Sequence, residues 1–221
     1  MITVHHLNNS RSQRILWLLE ELNVPYQIKK YQRDPVTYLA PKELKNIHPL
    51  GKSPIITDKK KTIAESGAII EYLTKNYSKN LFPFLDNEDK KDELVYWLHF
   101  AEGSAMPPLV MKLIFEKIKS SPMPFFIKPV AKMIANKVLE NFVMPNINGN
   151  FDFIEAHLKN NQWFLGDNFS PADIQMSFPL EAGLARLENK DNYPNIKKYV
   201  NAFQSRPAYK EALLKGGKYD Y

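Results

Sequence analysis

Cysteine is absent from all 221 residues. Its absence excludes disulfides, thiolate metal sites, a cysteine nucleophile and Cys-x-x-Cys redox chemistry carried by the chain itself. Any thiol chemistry must use a thiol that a ligand brings. Long apolar runs are missing too, and none approaches the roughly 18 residues of a membrane span. The opening Met1-Ile2-Thr3-Val4-His5-His6 lacks the basic and apolar regions of a secretory signal. A cytoplasmic protein with no membrane span is therefore expected. There is no Gly-x-Ser-x-Gly elbow, and His5 and His6 have no evident acidic partner, so a serine hydrolase is not expected. Internal repeats and low-complexity tracts are also lacking.

What is present fits a folded chain of one large domain or two small ones, with 44% hydrophobic and 24% charged residues. Such a chain buries a substantial core without a disulfide or metal staple. The net charge of +6 is unevenly carried. Residues 1–82 hold 13 Lys/Arg against 7 Asp/Glu, whereas residues 83–221 hold 17 of each. Two readings are open: a solvated surface with chance asymmetry, or an anionic-ligand site in the first third. No nucleic-acid partner is expected, because the basic residues are dispersed and only Lys59-Lys60-Lys61 cluster.

Residues 2–7 read as a strand. Ile15, Leu18, Leu19 and Leu22 give residues 11–22 a single apolar helical face, which Asn23-Val24-Pro25 ends. Residues 26–31 read as a second strand, and a short helix is expected around 41–46. Residues 53–57 and 62–64 flank a hairpin tip, and residues 66–77 read as a helix packed by Ile69, Ile70 and Leu73. The order β-α-β-α-β-β-α makes an α/β domain over 1–80. Strand texture ends after Pro83. Helical patterns follow at about 88–118, 126–158, 171–187 and 194–214, which makes 88–221 an all-helical domain, and kinks are expected at Pro107-Pro108 and Pro145. Ser170-Pro171-Ala172-Asp173 has the parts of a capping box, with Phe169 and Ile174 as its apolar staple.

Three segments could carry chemistry. Asn8-Asn9-Ser10-Arg11 joins the first strand to the first helix, where open α/β folds bind ligands and a helix start offers free N–H groups. As a cap, Ser10 accepts from the backbone and keeps its own proton to donate. Arg11 could reach a carboxylate or remain solvated, and Arg14 reads as structural. In His48-Pro49-Leu50-Gly51-Lys52-Ser53-Pro54, an extended peptide could pair with the backbone of Ser53, and Lys52 supplies a cation. At the next strand-to-helix junction, Glu65 suits an ammonium group while Ser66 and its helix start suit a carboxylate.

These segments, in this order, resemble the glutathione transferase family, and the resemblance covers nearly the whole chain. The carrying motifs are His48 to Pro54 (like the family's N-P-x-G-x-V-P), Glu65-Ser66 and the Ser170–Asp173 cap. The resemblance implies a thioredoxin-like first domain, a helical second domain, a cis-Pro54, glutathione as co-substrate with no metal, a small hydrophobic electrophile, and a homodimer. It implies Ser10 as the activating hydroxyl of a serine-type, bacterial-like member, with Asn9, Arg11, Lys52, Ser53, Pro54, Glu65 and Ser66 binding glutathione. The first tyrosine is Tyr26, so a tyrosine-type mechanism is excluded, and the lack of cysteine excludes the cysteine type. His48 stands where the family has Asn, and Ser53 where it has an aliphatic residue. Asn8 and Asn9 are alternative holders of the thiolate. Peroxidase or disulfide reductase activity at the same site, and a non-catalytic scaffold, are the competing functions.

Two further features each leave two readings open. Tyr96, Trp97, Phe100, Met106 and Phe115 form a stripe at helical spacing that suits either core or pocket. Residues 112–137 hold six lysines and one glutamate among exposable apolar residues, which suits an ordinary lysine-covered helix pair or an acidic membrane surface.

Overall fold

The computed structural model describes residues 1–217, 219 and 220. Its first part runs β1 (Ile2–Leu7), α1 (Ser12–Glu21), β2 (Tyr26–Tyr31), a 3-10 turn (Lys42–Asn46), β3 (Ile55–Asp58), β4 (Lys61–Ala64) and α2 (Ser66–Tyr77). The sheet order is β2-β1-β3-β4, with β1 parallel to β2 and antiparallel to β3. Side chains alternate across the sheet. Ile2, Val4 and Ile56 join the large core with α1 and α2, while Leu7, Ile55 and Tyr31 close over Leu44 of the 3-10 turn. This is the thioredoxin-like arrangement that the resemblance implied.

The second part is helical: α3 (Glu88–Phe100), α4 (Met106–Ser120), α5 (Lys128–Val138), α6 (Met144–Asn160), α7 (Pro171–Leu184), α8 (Pro194–Gln204) and α9 (Pro207–Gly216). Where kinks were expected, the chain forms five-residue π-turns, Ala101–Ala105 before Pro107-Pro108 and Leu139–Val143 before Pro145. Proline has no N–H, so Pro108 cannot serve the Ser104 carbonyl four residues back. Asn150 Nδ2 donates to that carbonyl instead, at 2.8 Å. The helix expected over 194–214 is two helices. Proline disfavours helical geometry in the residue before it; Arg206 is accordingly extended (φ −62°, ψ 136°), and Pro207 starts α9.

A second departure concerns α1. Its apolar face was expected to be single, yet every residue from Ser12 to Leu19 is buried. One side lies on the sheet, and α7 and α9 cover the other. Trp17 fills that second side, with ring centroids 5.3 Å from Phe203, 5.2 Å from Tyr209 and 5.5 Å from Phe169.

Candidate active site

A cleft of about 240 Å³ opens beside α1 and α2, lined by residues 11, 50, 52–54, 64–66 and 102. The Ser53–Pro54 peptide bond at its floor is cis, and Gly51 before it takes φ +58°. A Cβ at Gly51 would also lie 2.6 Å from the Lys45 side chain, so only glycine fits that turn. Ser53 is half-buried and its hydroxyl donates to the His5 carbonyl at 3.1 Å. Lys52 stands exposed at the rim.

Opposite Ser53, Glu65 ends the loop after β4 at φ 70°, ψ 123°. A non-glycine residue in that region is strained, a feature that concentrates at ligand sites. Its exposed side chain makes no capping bond. Ser66, the first residue of α2, is buried, and its hydroxyl accepts from Arg14 Nη2 at 2.7 Å.

Arg14 also reaches the Gln175 carbonyl and Glu102 Oε1. Glu102 projects from the π-turn between α3 and α4, and its other oxygen lies 3.1 Å from Arg11 Nε. Burial would raise the Glu102 carboxyl, but Arg14 and Arg11 outweigh it and hold the group below the usual carboxylate range. Arg14 is structural, as expected, although the site depends on it. Arg11 is half-buried and paired to Glu102, with its guanidinium 5.6 Å from the centre of the Phe178 ring. The helical half thus contributes a carboxylate to the cleft. Glu102 was not singled out from the sequence. Its signal there is one acidic residue among small ones, Ala101-Glu102-Gly103-Ser104-Ala105, just before two prolines.

Ser10 lies behind Ser53, buried, with the two hydroxyl oxygens 3.5 Å apart. Its oxygen accepts from the Ser12 N–H at 3.2 Å, but α1 starts only at Ser12, so Arg11 and not Ser10 holds the N-cap position. Ser12 continues inward as a polar chain, with Ser10 Oγ to Ser12 Oγ 2.8 Å and Ser12 Oγ to His6 Nδ1 2.8 Å. Burial and Lys30 push the His6 imidazole down to about 4, against a hydrogen bond to the Gly216 backbone. His6 is therefore neutral at pH 7. His6 Nδ1 faces the Ser12 hydroxyl, which donates to the Leu7 carbonyl at 3.2 Å. Sequence reading passed over Ser12 because its partner sits on the preceding strand.

Asn9 and Asn8 are turned elsewhere. Asn9 Nδ2 donates to Asp220 Oδ2 at 2.6 Å and its oxygen accepts from the Asp220 N–H at 3.0 Å. Asn8 Oδ1 accepts from the Arg33 N–H at 2.8 Å. Neither lines the cleft, and buried Ser10 does not line it either: it sits one hydroxyl behind Ser53, which does. Of the aromatic stripe, Trp97 and Met106 are core, Phe100 and Phe115 are half-buried against it, and Tyr96 is exposed. No group of three or more His, Asp or Glu side chains could hold a metal among the described residues. No helix among them is long and apolar enough to cross a membrane.

Residues 1–75 match the N-terminal domain of glutathione S-transferases and residues 122–207 match the C-terminal domain. Glutathione S-transferase 1 of Saccharomyces cerevisiae is 39% identical over 95% of this chain and 92% of its own. The chain belongs to the glutathione S-transferase family. Glutathione S-transferase 3 of Schizosaccharomyces pombe is 36% identical over 97% of this chain and 88% of its own. A crystal structure of a glutathione S-transferase from Actinobacillus pleuropneumoniae superposes with a TM-score of 0.76, at 33% identity over 98% of this chain and 93% of that one. In the cleft above, Glu102 of the helical half faces Arg11 before α1, the loop that leads into β3, and the β4–α2 junction.

Proposed function

We propose that the protein is a glutathione transferase that binds the tripeptide in this cleft and presents its sulfur, as thiolate, to a small hydrophobic electrophile. Glutathione has two carboxylates and one ammonium, which suits the basic first third of the chain. Residues 1–80 are read as the glutathione domain and 88–221 as the domain facing the electrophile. The carrying observation is the paired junction at Glu65-Ser66: an exposed carboxylate held at φ 70° beside a buried hydroxyl at a helix start. Glu65 takes the γ-glutamyl ammonium, and Ser66 with the α2 N-terminus takes the adjacent carboxylate. Ser53 offers its backbone to the cysteinyl residue, and Lys52 suits the glycine carboxylate. Arg11 is retained as a binder because it lines the cleft, with guanidinium N–H groups beyond the one that faces Glu102.

Ser10 is assigned the thiolate. A free thiol with a pKa of about 8.5 is only a few per cent ionised at pH 7. Lowering it by about two units needs roughly 2.7 kcal/mol. One hydroxyl bonded to a charged acceptor supplies about 1.5–3 kcal/mol, and the α1 N-terminus adds about 0.3–1 kcal/mol. The Ser10 proton must turn from Ser12 to the sulfur for this, and the Ser12 N–H keeps the oxygen in place meanwhile. No general base is needed. Family membership supports a homodimer.

Calorimetry with glutathione, alongside thiolate absorbance against pH, tests this reading. Wild type should bind and ionise the thiol well below its free pKa, Ser10→Ala should raise that pKa by one to two units, roughly 1.4–2.7 kcal/mol, and Glu65→Ala should abolish binding. Absence of binding in wild type would sink the transferase reading. Binding with turnover of peroxides or disulfides but of no electrophile would replace it with the reductase reading.

A further inference from the structure

The hairpin of α4 and α5 carries apolar side chains that no other described part of the chain covers. Phe125 and Phe126 at its turn are 86% and 66% exposed, and Met133 and Ile134 on α5 are 63% and 54% exposed. On α4, Leu113 and Ile114 are exposed as well. Single exposed apolar residues are ordinary, but a contiguous set is not. The charge around them has one sign. Residues 112–137 hold six lysines and the single Glu116. Glu116 is spent on Lys112 and Lys119, at 3.6 and 3.2 Å, and Lys117 lies 3.8 Å over the Tyr38 ring. Lys128, Lys132 and Lys137 on α5 have no carboxylate partner among the described residues.

We propose that this hairpin docks the protein on an anionic lipid bilayer, with Phe125 and Phe126 entering the interface and the lysines meeting the headgroups. Exposed apolar residues interspersed with lysine, with aromatic residues at the turn, are the composition that lies in a bilayer interface. Lysine stems cover apolar surface while their ammonium groups reach the headgroup level. A second copy of the chain is the weaker occupant. A two-fold contact through this patch would face the six lysines of one copy with the six of the other, and only Glu116 of each copy would answer them. This docking does not depend on the transferase reading, since it requires no bound glutathione.

The test is co-sedimentation of the full chain with phosphatidylcholine vesicles containing roughly a third phosphatidylglycerol, against phosphatidylcholine alone. Wild type should partition onto the anionic vesicles and lose about tenfold on neutral vesicles or at high salt. Phe125→Ser/Phe126→Ser and Lys128→Glu/Lys132→Glu should each lose about tenfold on anionic vesicles, with unchanged heat unfolding and glutathione conjugation. No sedimentation of wild type with anionic vesicles would overturn the proposal. So would equal partitioning of the charge-reversed variant, or a phenylalanine variant that changes molecular mass in solution while its vesicle binding stays as in wild type.

Discussion

At the residue scale, the polar chain from Ser10 through Ser12 to His6 ends on an imidazole that burial keeps neutral. Its pH consequence has a definite sign. The folded protein holds His6 down to about 4, whereas an unfolded chain has it near the ordinary histidine value of 6.5. Below 6.5 the unfolded state gains a proton that the folded state refuses. The stability contributed by neutral His6 is therefore complete above pH 6.5 and is lost as pH falls towards 4. We expect wild type to lose about 2 kcal/mol relative to His6→Gln between pH 7 and pH 5. Urea unfolding of both proteins at each pH measures the difference. Asp173 works the other way, because burial lifts its carboxyl to about 6 against the hydrogen bonds it accepts. Its preference for the protonated form favours folding below about 4 and is lost as pH rises through about 6. Wild type alone will thus show a shallow profile, and the comparison with His6→Gln is what isolates the histidine.

At the element scale, the α7 cap does more than start a helix. Asp173 accepts from the Ser170 N–H at 2.8 Å, the Phe164 N–H at 2.9 Å and the Tyr199 hydroxyl at 2.9 Å. One carboxylate therefore joins α7 to the preceding loop and to α8. In Asp173→Asn, one accepting oxygen becomes an N–H₂ group facing backbone donors. We expect that change to cost about 2–3 kcal/mol, and Ser170→Ala, which removes one capping acceptor, about 1 kcal/mol. The order of the two, read from denaturant midpoints, checks which residue anchors the cap. The π-turns belong to this scale as well. The one before Pro107-Pro108 releases the helix from the missing N–H groups and also sets Glu102 towards Arg11 and Arg14.

At the scale of the whole molecule, α1 is the shared wall of both halves. The core runs without a break from Ile2 and Val4 of the sheet through Trp17 to Phe203 and Tyr209 of the helical half. We expect a single unfolding transition for the whole chain, and Trp17→Ala to lower its stability by about 3–5 kcal/mol. Calorimetry would show whether one transition remains. A wild-type protein that unfolds in two well-separated steps would contradict a common core.

Much of this protein was legible before its structure. The two textures of the chain, the order of elements along it, the His48–Pro54 and Glu65-Ser66 motifs and the Ser170–Asp173 cap are local patterns. Local patterns are written in spacing, because turn geometry, capping and amphipathic faces depend on neighbours within a few residues. The partners of buried polar groups depend instead on what lies across a domain interface. Nothing near Arg14 in the sequence announces Ser66 and Glu102, and nothing near Asn9 announces Asp220. The second buried side of α1 exists only because α7 and α9 close over it. The chain's own order thus determined the family's fold and the motifs that line the cleft. Packing between the halves decided which of those side chains face the ligand and which are already taken, since a buried charge must find its partner wherever the fold brings one.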